Sequence, residues 1–98
     1  MIVLKEPLIF EWDQGNKEKN TLKHKVTNEE CEEVFFDHKK KILNDVIHSG
    51  QEERCLLLGK TKKERRLFIV FTISGPKIRV ISARDLNKKE VCLYEEEN

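Results

Sequence analysis

Leu67-Phe68-Ile69-Val70-Phe71-Thr72-Ile73, Ser74-Gly75-Pro76-Lys77 and Ile78-Arg79-Val80-Ile81-Ser82-Ala83 follow one another directly in the second half of the chain. The outer two pieces are β-branched or aromatic at most positions, and the middle one carries a Gly-Pro turn signal. Together they predict two strands joined by a tight turn, an antiparallel hairpin. The fold therefore rests on a sheet, which every other element must extend or cover.

Upstream of the hairpin, Arg54 to Gly59 reads as another strand and Ile42 to Val46 as a weaker one. Lys62-Lys63-Glu64-Arg65-Arg66 is predicted to form the turn before the central strand, exposing four cations together. Downstream, Asn87-Lys88-Lys89-Glu90 places a capping Asn three residues before a Glu, so a short helix through Tyr94 should close the chain. Thr27-Asn28-Glu29-Glu30 repeats that capping signature, with Cys31, Val34 and Phe35 as the buried stripe of a helix ending near Asp37.

Further upstream, Leu8 to Trp12 predicts a first strand, and Asp13 caps a helix running to about His24, seated by Phe10 and Trp12. Lys17, Asn20, Lys23 and His24 fall close to one face of that helix. The expected architecture is α+β: an antiparallel sheet of four to five strands, two N-terminal helices and a short C-terminal helix, in the order β-α-α-β-β-β-β-α.

Ninety-eight residues, 38% of them hydrophobic and 38% charged, suit one soluble domain spanning residues 1–98. The longest apolar run, Leu67 to Phe71, is far short of the roughly 20 residues a membrane-spanning helix needs. The amino terminus lacks the basic and apolar pattern of a secretory signal, so the expected location is cytoplasmic. Cys31, Cys55 and Cys92 are too few and too widely spaced for a disulfide framework or a metal motif, and read as small core residues.

A net charge of +1 hides an asymmetry. Between Arg54 and Lys89 stand eleven Lys and Arg against Glu64 and Asp85, so the rest of the chain is acidic. A basic half can attract an RNA backbone or can merely solvate strand surfaces, and both readings stand on charge alone.

Phe10-Glu11-Trp12-Asp13 with Lys17 and Asn20, Lys23-His24 with Val26, Val34-Phe35 and Asp37 form an ordered set. It continues through His48-Ser49, Glu53-Arg54, Gly59, Arg79, Ser82-Ala83-Arg84, Glu90 and Tyr94. The set resembles the BrnT family of ribonuclease toxins from bacterial type II toxin-antitoxin modules, over roughly residues 8 to 95. The resemblance implies a RelE-like fold and an RNA-cleaving activity that halts translation. It also implies a cognate ribbon-helix-helix antitoxin, BrnA-like, through which alone the toxin would meet operator DNA. Where the family has Gly after its Lys-His pair, to end the first helix in a left-handed turn, this chain has Lys25.

Cutting RNA without a metal takes a base for the ribose 2′-hydroxyl, cations for the charge on phosphorus and an acid for the leaving 5′-oxygen. His24, Glu53, Arg54, Arg79 and Arg84 are the catalytic candidates; Lys23, His48, Lys62, Lys63, Arg65, Arg66 and Ser82 are candidates for RNA binding. No cofactor is expected, and no residues have metal-ligand spacing.

Each candidate has a structural counterpart. His24 suits a helix carboxyl end, Glu53 and Arg54 suit a loop salt bridge, and Tyr94 and His38 suit a core and a solvated surface. Regular alternation puts Ser82 and Arg84 on the face opposite Arg79 unless a bulge re-aims them. The other readings are an inert module that binds RNA or a partner on the same fold, and a component of the translation machinery.

Overall fold

The computed structural model describes residues 7–12, 25–44, 53–74 and 76–96, with Asn44, Glu53 and Ser74 described by backbone alone. The elements are β1 (Ile9–Glu11), α1 (Asn28–Val34), β2 (Lys41–Asn44), β3 (Glu53–Lys60), β4 (Arg66–Ser74), β5 (Lys77–Asp85) and α2 (Lys88–Glu95). The helix expected between Asp13 and His24 lies outside the described residues.

Five strands form one sheet in the order β1-β5-β4-β3-β2. β2 to β5 make an antiparallel meander, and the predicted hairpin is its β4–β5 pair. The sheet is mixed rather than antiparallel, because β1 runs parallel to β5 with Ile9 opposite Lys77 and Glu11 opposite Arg79. Alternation within a short segment marks a strand, but the direction of a partner so distant in sequence is set by tertiary structure.

Both capping boxes form. The Thr27 hydroxyl accepts from the Glu30 amide at 3.1 Å while Glu30 accepts from the Thr27 amide at 3.0 Å. Asn87 and Glu90 make the same reciprocal pair, each bond at 2.9 Å. α1 ends at Val34, short of the expected Asp37, and Phe35 to Asp37 continue as a turn.

α1 lays Cys31 and Val34, followed by Phe35, on one sheet face formed by Cys55, Leu57, Leu67, Ile69, Phe71, Ile78, Val80 and Ala83. Gly59 allows the close approach: a Cβ there would stand 3.0 Å from both the Cβ and the carbonyl oxygen of Val34. Phe10 meets Phe35 edge-on at 5.2 Å, and the Trp12 indole donates to Glu32 at 2.9 Å. This aromatic pair thus seats α1, a contact across twenty residues that local pattern does not reveal.

Cys31 and Cys55 are core residues, whereas Cys92 is exposed on α2, contrary to expectation. Burial pushes the Cys31 thiol up to about 12, with Glu30 and Glu32 adding to the effect, so it stays protonated near neutrality.

Candidate active site

The opposite sheet face carries the chemistry, and a β-bulge organises it. Phe71 pairs with Val80 and Val70 pairs with Ser82, leaving Ile81 as the extra residue. Without that extra count Ser82 and Arg84 would point into the core; with it they join Arg79 on one face while Ala83 stays inside.

Successive rows cross this face. Arg54, Thr72, Arg79 and Glu11 are register partners on β3, β4, β5 and β1. The next row is Leu43, Leu56, Val70 and Ser82, and the one after is Lys41, Leu58, Phe68 and Arg84. Lys60 and Arg66 pair at the far end.

α2 covers the third row and is anchored at both ends of it. Arg84 donates through both terminal nitrogens to the two oxygens of Glu90, each at 2.8 Å, and stacks over Phe68 with 4.3 Å to the ring centroid. At the other end Lys41 Nζ donates to the carbonyls of Leu93 and Glu96. Arg66 pairs with Glu95 at 2.8 Å, and Leu58 beneath the helix is buried.

Glu90 therefore caps its helix and fixes Arg84 at once, and Arg84 and the Asn87 amide hold its carboxyl below the ordinary value against the opposing effect of burial. Hydrogen bonding to Glu90 in turn raises Arg84. The Tyr94 hydroxyl donates to Asp37 at 2.5 Å, and Asp37 also accepts from the amides of Lys39 and Lys60. Burial works against ionisation of Asp37, but these donors keep it below its usual value. Burial and then the Asp37 carboxylate push Tyr94 up.

The cations of the Lys62 to Arg66 turn do not stand together as expected. Lys62 and Lys63 are exposed. Arg65 turns inward to Asp85 at 2.7 Å and 3.1 Å, to the Lys25 carbonyl at 2.8 Å and to Glu30 at 3.2 Å. Those carboxylates, Asp85 foremost, raise its guanidinium further above its ordinary value. Burial works against ionisation of Glu30, but the Thr27 amide and Arg65 hold it below its usual value.

What α2 leaves open is the first two rows. Arg54 is half-buried and Arg79 exposed, with Thr72 between them on β4. Their Cα atoms stand two strand spacings apart, about 10 Å. Among the described residues neither guanidinium has an ion-pair or hydrogen-bond partner. The neighbouring acid, Glu11, pairs instead with Lys77 at 3.3 Å. Two planar cations on one row, beside half-buried Ser82, can converge on a single phosphate.

Lys23, His24 and His48 lie outside the described residues, as does the side chain of Glu53, whose backbone pairs with Ile73. The local pattern did not identify the partners Asp37–Tyr94 and Arg84–Glu90; their one signal was their place in the ordered motif set.

A sequence model of the family described as the ribonuclease toxin BrnT of type II toxin-antitoxin systems matches residues 12–90. Among solved structures, the chain is similar to the crystal structure of the Brucella abortus ribonuclease toxin BrnT. The two share 18% sequence identity and a TM-score of 0.64, and the match covers 83% of this chain and 99% of the other. That likeness supports the fold. No curated protein sequence matches. No helix among the described residues is long and apolar enough to cross a membrane. A match over residues 12–90, most of the chain, places this protein in the BrnT family of ribonuclease toxins from type II toxin-antitoxin systems.

Proposed function

We propose that the chain cleaves RNA without a metal ion by 2′-hydroxyl attack, with Arg54 and Arg79 holding the scissile phosphate. A base removes the 2′-proton and the oxygen bonds to phosphorus. The bond to the 5′-oxygen then breaks as an acid protonates it, leaving a 2′,3′-cyclic phosphate and a 5′-hydroxyl. The arginines neutralise the charge that grows on the phosphoryl oxygens. His24, His48 and Glu53 are the base and acid candidates, and Ser82 lies beside Arg79 as a further donor. Lys23, Lys62 and Lys63 attract the strand. Arg84, Arg65 and Arg66 act by holding elements in place.

The observation that carries this reading is the row itself: two guanidinium groups with no partner among the described residues, on the part of the face that α2 leaves open. Family membership implies an antitoxin partner and an RNA target. In this reading the partner is a ribbon-helix-helix protein that covers the same face and alone contacts operator DNA, and free toxin stops translation in the cytoplasm. The test is induction without antitoxin, followed by analysis of RNA ends in the presence of chelator. Growth arrest with cyclic-phosphate ends is expected. Tight RNA binding with no cut in any RNA would instead indicate an inert binding module.

A further inference from the structure

Beyond α2, at the opposite end of the sheet from Arg54 and Arg79, lies an open groove of about 680 Å³. Its walls carry His38, Lys39, Lys40, Lys41, Lys60 and Arg66, with Glu95 and Glu96 as the acids and Tyr94 as the remaining lining residue. Lys41 and Arg66 are already committed to α2. The ammonium groups of Lys39 and Lys40 have no partner among the described residues, and Lys60 has a long contact of 3.7 Å to exposed Glu64.

The groove is built rather than accidental. Asp37 accepts from the Lys39 amide at 3.0 Å, the Lys60 amide at 2.9 Å and the Tyr94 hydroxyl, and the Lys40 amide donates to the Asp37 carbonyl at 3.1 Å. One half-buried carboxylate thus fixes the turn that presents the lysines, the end of β3 and the helix that forms the facing wall. Like charges held together this way repel one another until an anion enters.

We propose that this groove is a second site for the RNA backbone, binding phosphates of the strand whose scissile phosphate lies at Arg54 and Arg79; the proposal rests on the ribonuclease reading above. Arg54 and Lys60 are six residues apart on β3, about 20 Å at strand spacing. One strand can therefore touch both, while a dinucleotide cannot. A protein partner needs aromatic or aliphatic anchors, and the lining offers none beyond Tyr94, which is buried with its hydroxyl bound to Asp37. The lysine ammonium groups bind phosphate as point charges, irrespective of sequence.

The test uses the full chain and a 2′-O-methylated RNA of about a dozen nucleotides, which binds without being cut. Anisotropy is titrated with salt for wild type, Lys39→Gln/Lys40→Gln and Lys60→Gln. The double variant should lower the slope of log affinity against log salt by about 1.4 and Lys60→Gln by about 0.7, the value of each single-strand phosphate contact. Cleavage of a dinucleotide, which reads the Arg54–Arg79 site alone, should be unchanged in both. Unaltered slopes overturn the proposal. So do unaltered RNA slopes with weakened binding of polyglutamate, which would assign the groove to an acidic protein. Reduced slopes in a protein that cuts no RNA of any length would sustain the groove and sink the ribonuclease reading.

Discussion

Arg79 and Arg84 stand on the same face of β5, five positions apart, because Ile81 is the extra residue between Val80 and Ser82. Their surroundings differ. Arg84 is bound at both terminal nitrogens by Glu90 and lies on Phe68, while Arg79 is exposed beside buried Thr72 on the part of the face that α2 leaves open. One holds a helix down; the other is exposed, with no partner among the described residues.

Arg84→Ala should therefore act on stability. It leaves the half-buried Glu90 carboxylate without its partner, a loss of about 1–3 kcal/mol, which lowers the melting temperature by roughly 4–8 °C per kcal/mol in a domain of this size. Arg79→Ala should stay within about 0.5 kcal/mol of wild type. Thermal denaturation of the two variants distinguishes them, and equal melting temperatures would show that Arg84 does not anchor α2.

Deleting Ile81 should be tolerated. The remaining sequence alternates Arg79, Val80, Ser82, Ala83 and Arg84 between the faces as the bulged strand does now. The expected result is a cooperative melting transition within about 1 kcal/mol of wild type, since an irregularity is lost and no core residue changes sides. Deleting Ile69 from regular β4 should abolish folding, because every side chain beyond it would switch faces. Circular dichroism and melting of both deletions check the claim, and similar behaviour of the two would contradict it.

Lys25 adopts a φ of 55°, in the left-handed region where a side chain costs about 1–2 kcal/mol relative to right-handed backbone. Among the described residues its carbonyl accepts from Arg65, and its side chain has no partner. Lys25→Gly relieves the strain and keeps that bond, so after the added freedom of the unfolded chain it should stabilise by roughly 0.5–1 kcal/mol. Chemical denaturation with an unchanged m-value and a raised midpoint is expected; a lowered midpoint would contradict the assignment.

Stability should fall at both ends of the pH scale. Asp37, Glu30 and Glu90 have folded pKa values below their unfolded ones. Their contributions are thus present above the ordinary carboxylate range, near 4, and are lost as pH falls through the folded values. Tyr94 is raised in the folded state, so its contribution is present below about 10 and is lost as pH rises beyond it. Tyr94→Phe should flatten the alkaline limb of a stability–pH curve and leave the Glu30 and Glu90 part of the acid limb. An unchanged alkaline limb would remove Tyr94 as its source.

Much of the frame was legible because it is local. The two capping boxes, the hairpin and the core stripe of Cys31, Val34 and Phe35 all lie within a few residues of their signals. The parallel pairing of β1 with β5 and the reach of Trp12 to Glu32 depend on contacts between distant segments, and no period in the sequence encodes them. The bulge was legible only as a condition that a site containing Arg79, Ser82 and Arg84 would need. The expected cluster of turn cations failed because Arg65 had acids available across the fold, at Glu30 and Asp85. Asp37, Gly59, Glu90 and Tyr94 belong to the motif set that carries the family resemblance. The structure gives each an architectural part: accepting three donors, admitting α1, anchoring Arg84 and fixing α2.

The central claim is that Arg54 and Arg79 hold the phosphate being cut, in a reaction that needs no metal. Single-turnover cleavage of a short RNA in excess chelator, compared between wild type and Arg79→Ala, tests it most directly. Wild type should cut to a 2′,3′-cyclic phosphate. Arg79→Ala should be about 10²–10³-fold slower, the usual loss of one donor to a developing anion, with an unchanged melting temperature. Equal rates for the two proteins, or wild-type activity that disappears with the metal, would contradict the account.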